Sequence, residues 1–449
     1  QEGLELAYND WLSGKPGAKK VIRDRKGAIV ESIDLVRAAE PGQDLTLSID
    51  RRIQFLAMRE LRNAVNQHKA AGGSMVVMDV ATGEVMAMAN LPTYNPNAVG
   101  NATPDTRRNR AVTDLVEPGS TMKPITVAAA LQAGVVDAST VFDTNPGYMS
   151  LGRFTISDVP RNNGVLTTTG VITRSSNIGS AKMAALLPDR TFYDTVSSFG
   201  YGQAPGSGFP GESAGVVPTP GSPTWYGSTK STMSYGYGLN VTPLQMATAF
   251  ATLGNGGQLV SPTFIRGQNP AERTVRQVVD PAVARQVVQM METVVTHGGA
   301  KQAGILGYHV AGKTGTAQVV SRRGAGAVDP RSLPMHLRHR SLFVGFAPVD
   351  NPQIAVAIAV EGGGYGGTSA APIARKLFDA WLLGKLPDGL QPLDSERGVT
   401  ALGERTFEYG KEAMPAAQVL AANLAALDLI DAQVLVGVPA VDALSGELP

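Results

Sequence analysis

The sequence predicts an α+β fold, a five-stranded antiparallel sheet covered by helices, with part of a second domain ahead of it. Three observations predict it. Two apolar runs early in the chain, Ser74–Val80 and Val85–Ala89, are joined by Ala81-Thr82-Gly83-Glu84, which suits a hairpin. Three further runs come late, Tyr308–Val320, Ser341–Ala347 and Gln353–Val360, the last two joined by a turn at Asp350-Asn351-Pro352. Between the two sets the apolar spacing is that of helices. Hairpins impose antiparallel pairing, and helices before and after the strands supply a cover.

Taken in order, residues 1–43 are polar and broken by Gly14-Lys15-Pro16-Gly17 and Pro41-Gly42. A short helix near Leu4–Leu12 and short strands at Lys20–Asp24 and Ala28–Ser32 are too little to fold alone, so this stretch is expected to be the remnant of an N-terminal domain. Leu45–Ile49 alternates as a strand, and Asp50 can cap a helix over Arg51–His68. Residues 90–110 form a loop, and 137–165 form another with scattered short strands. Helices are expected at Thr168–Leu186, Thr242–Leu253, Pro281–Thr296 and Ala370–Leu383, and 200–223, rich in Gly, Pro and Ser, as an exposed, mobile loop. The main folded domain is thus expected over 44–384. Residues 385–449, alanine-rich around 416–427, are an extension to which no role is assigned.

Composition narrows the function. The 449 residues suffice for a large core, and 43% hydrophobic with 17% charged residues is ordinary for a globular protein. With 39 basic against 38 acidic residues and no basic stripe, nucleic acid is not an expected partner. The absence of cysteine excludes disulfides, thiol catalysis and thiolate metal sites. No apolar run approaches the length of a membrane span, about eighteen residues or more. Gln1-Glu2-Gly3-Leu4-Glu5 reads as the middle of a domain, so an anchor upstream is expected.

Three short motifs carry chemistry. Ser120-Thr121-Met122-Lys123 follows the Pro118-Gly119 turn and opens a helix, which places the Lys123 amine over the Ser120 hydroxyl. A serine is a weak nucleophile until a base takes its proton, and a desolvated lysine near other cations can do that. Ser175-Ser176-Asn177 lies 175 − 120 = 55 residues on and brings a proton-relaying hydroxyl and an amide. Lys313-Thr314-Gly315-Thr316 lies a further 313 − 175 = 138 residues on, in a strand. There a glycine permits close approach of a ligand, and a lysine with two hydroxyls suits an anionic group. Each has a bland alternative: a solvated helix start, a polar turn, a weakened edge strand. Their joint occurrence in one order is the serine-lysine acylating set.

With these motifs the chain resembles the class B penicillin-binding proteins, the peptidoglycan D,D-transpeptidases, over about Gln1–Leu383. Asn109-Arg110-Ala111, Tyr235-Gly236-Tyr237-Gly238-Leu239 before Thr242-Pro243-Leu244-Gln245, and Tyr365-Gly366-Gly367 before Ala371-Pro372 belong to the likeness. Within the class it is most similar to the division-specific penicillin-binding protein 3, although Ser341–Lys376 is also similar to the elongation-specific member. The resemblance implies a penicillin-binding, serine β-lactamase-like fold with a partial N-terminal pedestal. It implies that Ser120 attacks the bond between the last two D-alanines of a stem peptide, with Lys123 as its base. Ser175 would pass a proton to the departing D-alanine, Asn177 would orient Lys123 and the substrate amide, and Lys313 would hold the charge balance. Thr314, Gly315 and Thr316 would bind substrate, with the oxyanion on the N–H groups of Ser120 and Thr316. It further implies acylation by β-lactam antibiotics, no metal or organic cofactor, a periplasmic site on the inner membrane, and a glycosyltransferase and other division-complex membrane proteins as partners. His309, without a spaced partner, is not expected to be a ligand. Rival readings are a D,D-carboxypeptidase, a β-lactamase, for which no Glu-x-x-Leu-Asn loop occurs between Asn177 and Lys313, and a scaffold or β-lactam sensor. The loops 200–223 and Ser321–Arg340 are expected to flank and gate the site.

Overall fold

The computed structural model describes residues 2–152, 154–159, 162–318, 334 and 338–384. Its centre is one sheet. Strands β1 (Gly73–Asp79), β2 (Val85–Leu91), β3 (Ala311–Gln318), β4 (His339–Ala347) and β5 (Ile354–Glu361) pair antiparallel in the order β3-β4-β5-β1-β2, which confirms the predicted α+β class and strand count. In β1 the successive residues Met75 to Met78 are all buried, so helices must cover both faces.

Helix α1 (Arg51–His68) starts where predicted, because Asp50 accepts hydrogen bonds from the Arg52 and Ile53 N–H groups. Its Ile53, Leu56, Ala57 and Leu61 form a stripe at helical spacing that is buried against β2 and the later helix α6 (Ala371–Leu383). The other layer is α4 (Pro243–Gly254) with α5 (Pro281–Thr296). Thr242 and Gln245 close a reciprocal capping box at the start of α4. Helix α2 (Lys123–Gln132) runs through the interior with all its residues from Lys123 to Leu131 buried. That accounts for its apolar character all round.

Four expectations need correction. The helix expected over Thr168–Leu186 is two helices, Thr168–Thr173 and α3 (Asn177–Ala185), interrupted at Arg174–Ser176, where Ser175 has a φ of 59°. The alternating Leu45–Ile49 is not a strand: only Leu47 makes a bridge, to Ile265, and the Ser48 N–H bonds the Phe264 carbonyl. The strand expected from Tyr308 begins at Ala311. The loop 200–223 is partly buried rather than exposed. Phe209 stacks on Phe264 at 5.2 Å, Glu212 accepts the Gly206 and Ser207 N–H groups, and Gln245 Nε2 lies 2.8–3.0 Å from the carbonyls of Gly200, Gln203 and Ala214.

At the N-terminus, short helices precede a ribbon of two strands, Ala18–Arg23 and Ile29–Arg37, paired only with each other. The second runs five residues beyond the expected Ser32. The extension 385–449 and most of Ser321–Arg340 lie outside the described residues. Among the described residues no helix is long and apolar enough to cross a membrane.

Candidate active site

Three elements converge beside β3. Ser120 sits in a 3₁₀ turn, Gly119–Met122, and α2 starts only at Lys123. The turn is clamped from both sides. Gly315 of β3 faces it so closely that a Cβ there would come 3.1 Å from the Pro118 carbonyl and 3.2 Å from Thr121 Cγ2. On the other side the Gly119 N–H bonds the Gly236 carbonyl at 3.0 Å, and a Cβ on Gly236, whose φ is +90°, would fall 1.9 Å from the Gly119 oxygen. The buried Glu117 accepts the Gly238 N–H at 2.9 Å and ties the same turn to the segment carrying Tyr237.

The Lys123 amine is the hub. It is fully buried and lies 2.8 Å from Ser120 Oγ, 3.0 Å from Ser175 Oγ, 2.8 Å from Asn177 Oδ1 and 2.6 Å from the Ser175 carbonyl. The last contact depends on the break before α3. In an unbroken helix the Ser175 carbonyl would accept a bond from within the helix. The left-handed turn at Ser175 frees it for the lysine. Burial, and then the positive charge of Lys313, push the Lys123 pKa well below that of an ordinary lysine, while the Asp158 carboxylate opposes the shift. As a neutral amine, Lys123 can donate to the Ser175 carbonyl and to Asn177 Oδ1, leaving its lone pair for the Ser120 proton.

Lys313 is also buried, and its amine donates to Ser175 Oγ at 2.9 Å and to the Thr314 carbonyl at 3.1 Å. Burial brings its pKa down to about 7. Ser175 Oγ is therefore shared between two amines. Thr314 and Thr316, on the same strand, are half-buried and line a cleft of about 700 Å³ together with Ser120, Ser175, Asn177, Lys313 and Gly315. All eight candidate residues thus lie within one site.

Some residues at the site carried no signal in the sequence. Asp158, 1% exposed, accepts hydrogen bonds from Ser176 Oγ and from the Asn177 and Ile178 N–H groups. Arg174, His297 and Lys301 also line the cleft; so does Tyr237, which belongs to the Tyr235–Leu239 stretch of the likeness and whose hydroxyl lies 3.4 Å from the Thr316 carbonyl. Among the described residues the lining includes no aspartate or glutamate. The loop 200–223 contributes no residue to it, so a gate from that segment is not supported, whereas His339, at the end of Ser321–Arg340, does line it. His309 is paired with Glu292, which raises its pKa, and lines a separate cleft.

Comparison with known proteins places this arrangement. The family model described as the penicillin binding protein transpeptidase domain matches residues 73–379. The chain is 39% identical over 398 residues to the probable peptidoglycan D,D-transpeptidase PbpC of Pseudomonas aeruginosa, covering 87% of this chain and 68% of that protein. It is 40% identical over 414 residues to the peptidoglycan D,D-transpeptidase FtsI of Escherichia coli, covering 90% of this chain and 67% of that one. The solved transpeptidase domain of Burkholderia pseudomallei penicillin-binding protein 3 superposes with a TM-score of 0.66 at 35% identity, covering 78% of this chain and all of that one. With its sheet, its two buried lysines and its serine turn in one frame, the chain belongs to the penicillin-binding protein transpeptidase family, alongside class B members of the FtsI and PenA type.

Proposed function

We propose that the protein is a serine-type peptidoglycan D,D-transpeptidase that cross-links stem peptides through an acyl-enzyme on Ser120. The observation that carries this reading is the buried Lys123 amine, held 2.8 Å from the Ser120 hydroxyl with its other partners already fixed. Ser120 Oγ attacks the carbonyl of the penultimate D-alanine, and its proton passes to Lys123. The oxyanion rests on the Ser120 and Thr316 N–H groups, where donors fixed in advance need no reorganisation. The C–N bond then breaks, and the departing D-alanine amine takes the proton from Lys123 through Ser175. Lys313, Thr314 and Thr316 hold the terminal carboxylate, a role that suits a cleft lined by cations and free of carboxylates among the described residues. The amine of a second stem peptide attacks the ester, forms the cross-link and returns the proton to Ser120. β-Lactams acylate the same oxygen.

That no aspartate or glutamate lines the cleft among the described residues also favours transfer to an amine over hydrolysis, which an acidic base would promote by activating water. In this reading residues 44–384 are the catalytic domain and 1–43 belong to a non-catalytic pedestal. The protein acts at the periplasmic face of the inner membrane, in septal wall synthesis, with a glycosyltransferase and other division proteins. The test is intact mass after brief exposure to a penicillin, followed by incubation of the enzyme with a D-Ala-D-Ala peptide and an amine acceptor. A stable adduct absent from Ser120→Ala, together with a transfer product, is expected. An adduct that disappears within minutes, or release of D-alanine without transfer, would replace the reading by β-lactamase or D,D-carboxypeptidase.

A further inference from the structure

One buried acid at the site is unused by the mechanism above. Asp158 follows the hairpin Tyr148–Leu151/Phe154–Ser157, whose edge reaches the cleft at Val159. Its carboxylate accepts four hydrogen bonds. Oδ1 takes the Asn177 and Ile178 N–H groups at 2.7 and 3.0 Å, and Oδ2 takes Ser176 Oγ at 2.6 Å and Asn163 Nδ2 at 3.0 Å. Two of these donors are the first N–H groups of α3, where a negative charge is favoured by the helix dipole. Asn177 links this acid to the hub, since its side-chain oxygen lies 2.8 Å from the Lys123 amine.

We infer that Asp158 is a positioning residue of the acylation centre, fixing the Ser175–Asn177 turn and supplying a buried negative charge that acts on the Lys123 amine. The turn needs such an anchor. A serine with φ near 59° is in a conformation that non-glycine residues rarely adopt, and it persists only where the surroundings over-determine it. Asp158 does so by holding the three residues that follow. The charges acting on the Lys123 amine are Lys313 on β3 and Asp158 on the hairpin, of opposite sign. Asp158 therefore stops the base from being driven too far towards a weak, permanently neutral amine.

This inference rests on the acylation reading, and the test separates the two. Rates of acylation by a chromogenic β-lactam would be measured from pH 5 to 9 for the wild type, Asp158→Asn, Asp158→Ala and Ser176→Ala. Asparagine keeps an oxygen for the two backbone N–H groups and drops the charge. Its acid limb is expected to move to lower pH by about half a unit or more, because the charge that raises the Lys123 pKa is gone. Asp158→Ala should lose at least about tenfold at every pH as the turn is released. Ser176→Ala keeps the charge and loses one anchor, so its plateau should fall with the limb unmoved, which keeps the inference testable should both Asp158 variants fail to fold. A wild type that takes no adduct defeats the acylation reading itself. An acylated wild type on which Asp158→Asn superimposes, or a Ser176→Ala with an unchanged plateau, overturns this inference alone.

Discussion

Strand β5 and the second strand of the N-terminal ribbon are built from similar residues and live in opposite surroundings. In β5, Ile354 to Val360 are all buried between two helical layers. In the ribbon, Ile29, Val30, Ile33, Leu35 and Val36 are all exposed, Val30 and Val36 at 68%. Branched apolar side chains specify an extended backbone in both places, but they make a core only where other elements close over them. The site sits in the covered region, and its chemistry depends on that cover, because the low pKa values of Lys123 and Lys313 arise first from burial.

That contrast can be broken or sharpened by substitution. Ser120→Ala should abolish penicillin adduct formation, a loss of more than about a thousandfold, while leaving the melting temperature within about 1 °C, read by mass spectrometry and calorimetry. Gly315→Val places atoms where the Ser120 turn already presses on β3, and should slow acylation about a hundredfold and cost about 1–3 kcal/mol of stability in urea titrations. Lys313 tests the cost of a buried amine. Its pKa is about 7 when folded and near 10.5 when unfolded, so between these values the unfolded chain binds more protons and stability rises with pH. Lys313→Met should therefore stabilise the protein by about 2 kcal/mol at pH 6, and by less as pH rises towards 10, while acylation falls. In the ribbon, Ile33→Thr should change stability by less than about 0.5 kcal/mol. A drop as large as that of a core substitution would show that the ribbon is covered in solution.

Much of the frame was legible because it follows from local rules. Asp50 announced the start of α1, the turn at Ala81–Glu84 joined β1 to β2, and a continuous apolar run marked β5 as buried on both faces. Ser120, Lys123, Ser175, Asn177 and Lys313 could be proposed because residue type and order are visible in a sequence. What was not legible depends on long-range contacts. The polar run Ser175-Ser176-Asn177 allowed a turn, and Ser176 does cap α3, but the hydrogen bonds that Asp158 accepts there come from a distant part of the chain and could not be foreseen. The partial burial of 200–223 comes from Gln245, a residue of α4. The approach of Arg174, His297 and Lys301 to the cleft likewise follows from how α5 and the α3 turn meet β3.

The strand order has a consequence for how the protein is made. Strand β1 lies between β2 and β5, and its pairing with β5 joins Asp79 to Ile354, 354 − 79 = 275 residues apart. A growing chain that has just exposed the serine turn and α2 has no sheet to set them against. The central pair closes only after residue 361 has left the ribosome. Contacts so distant in sequence make for slow folding, with apolar strands waiting unpaired in the meantime. A nascent chain arrested before Ile354 would carry every one of the three motifs and no frame to hold them.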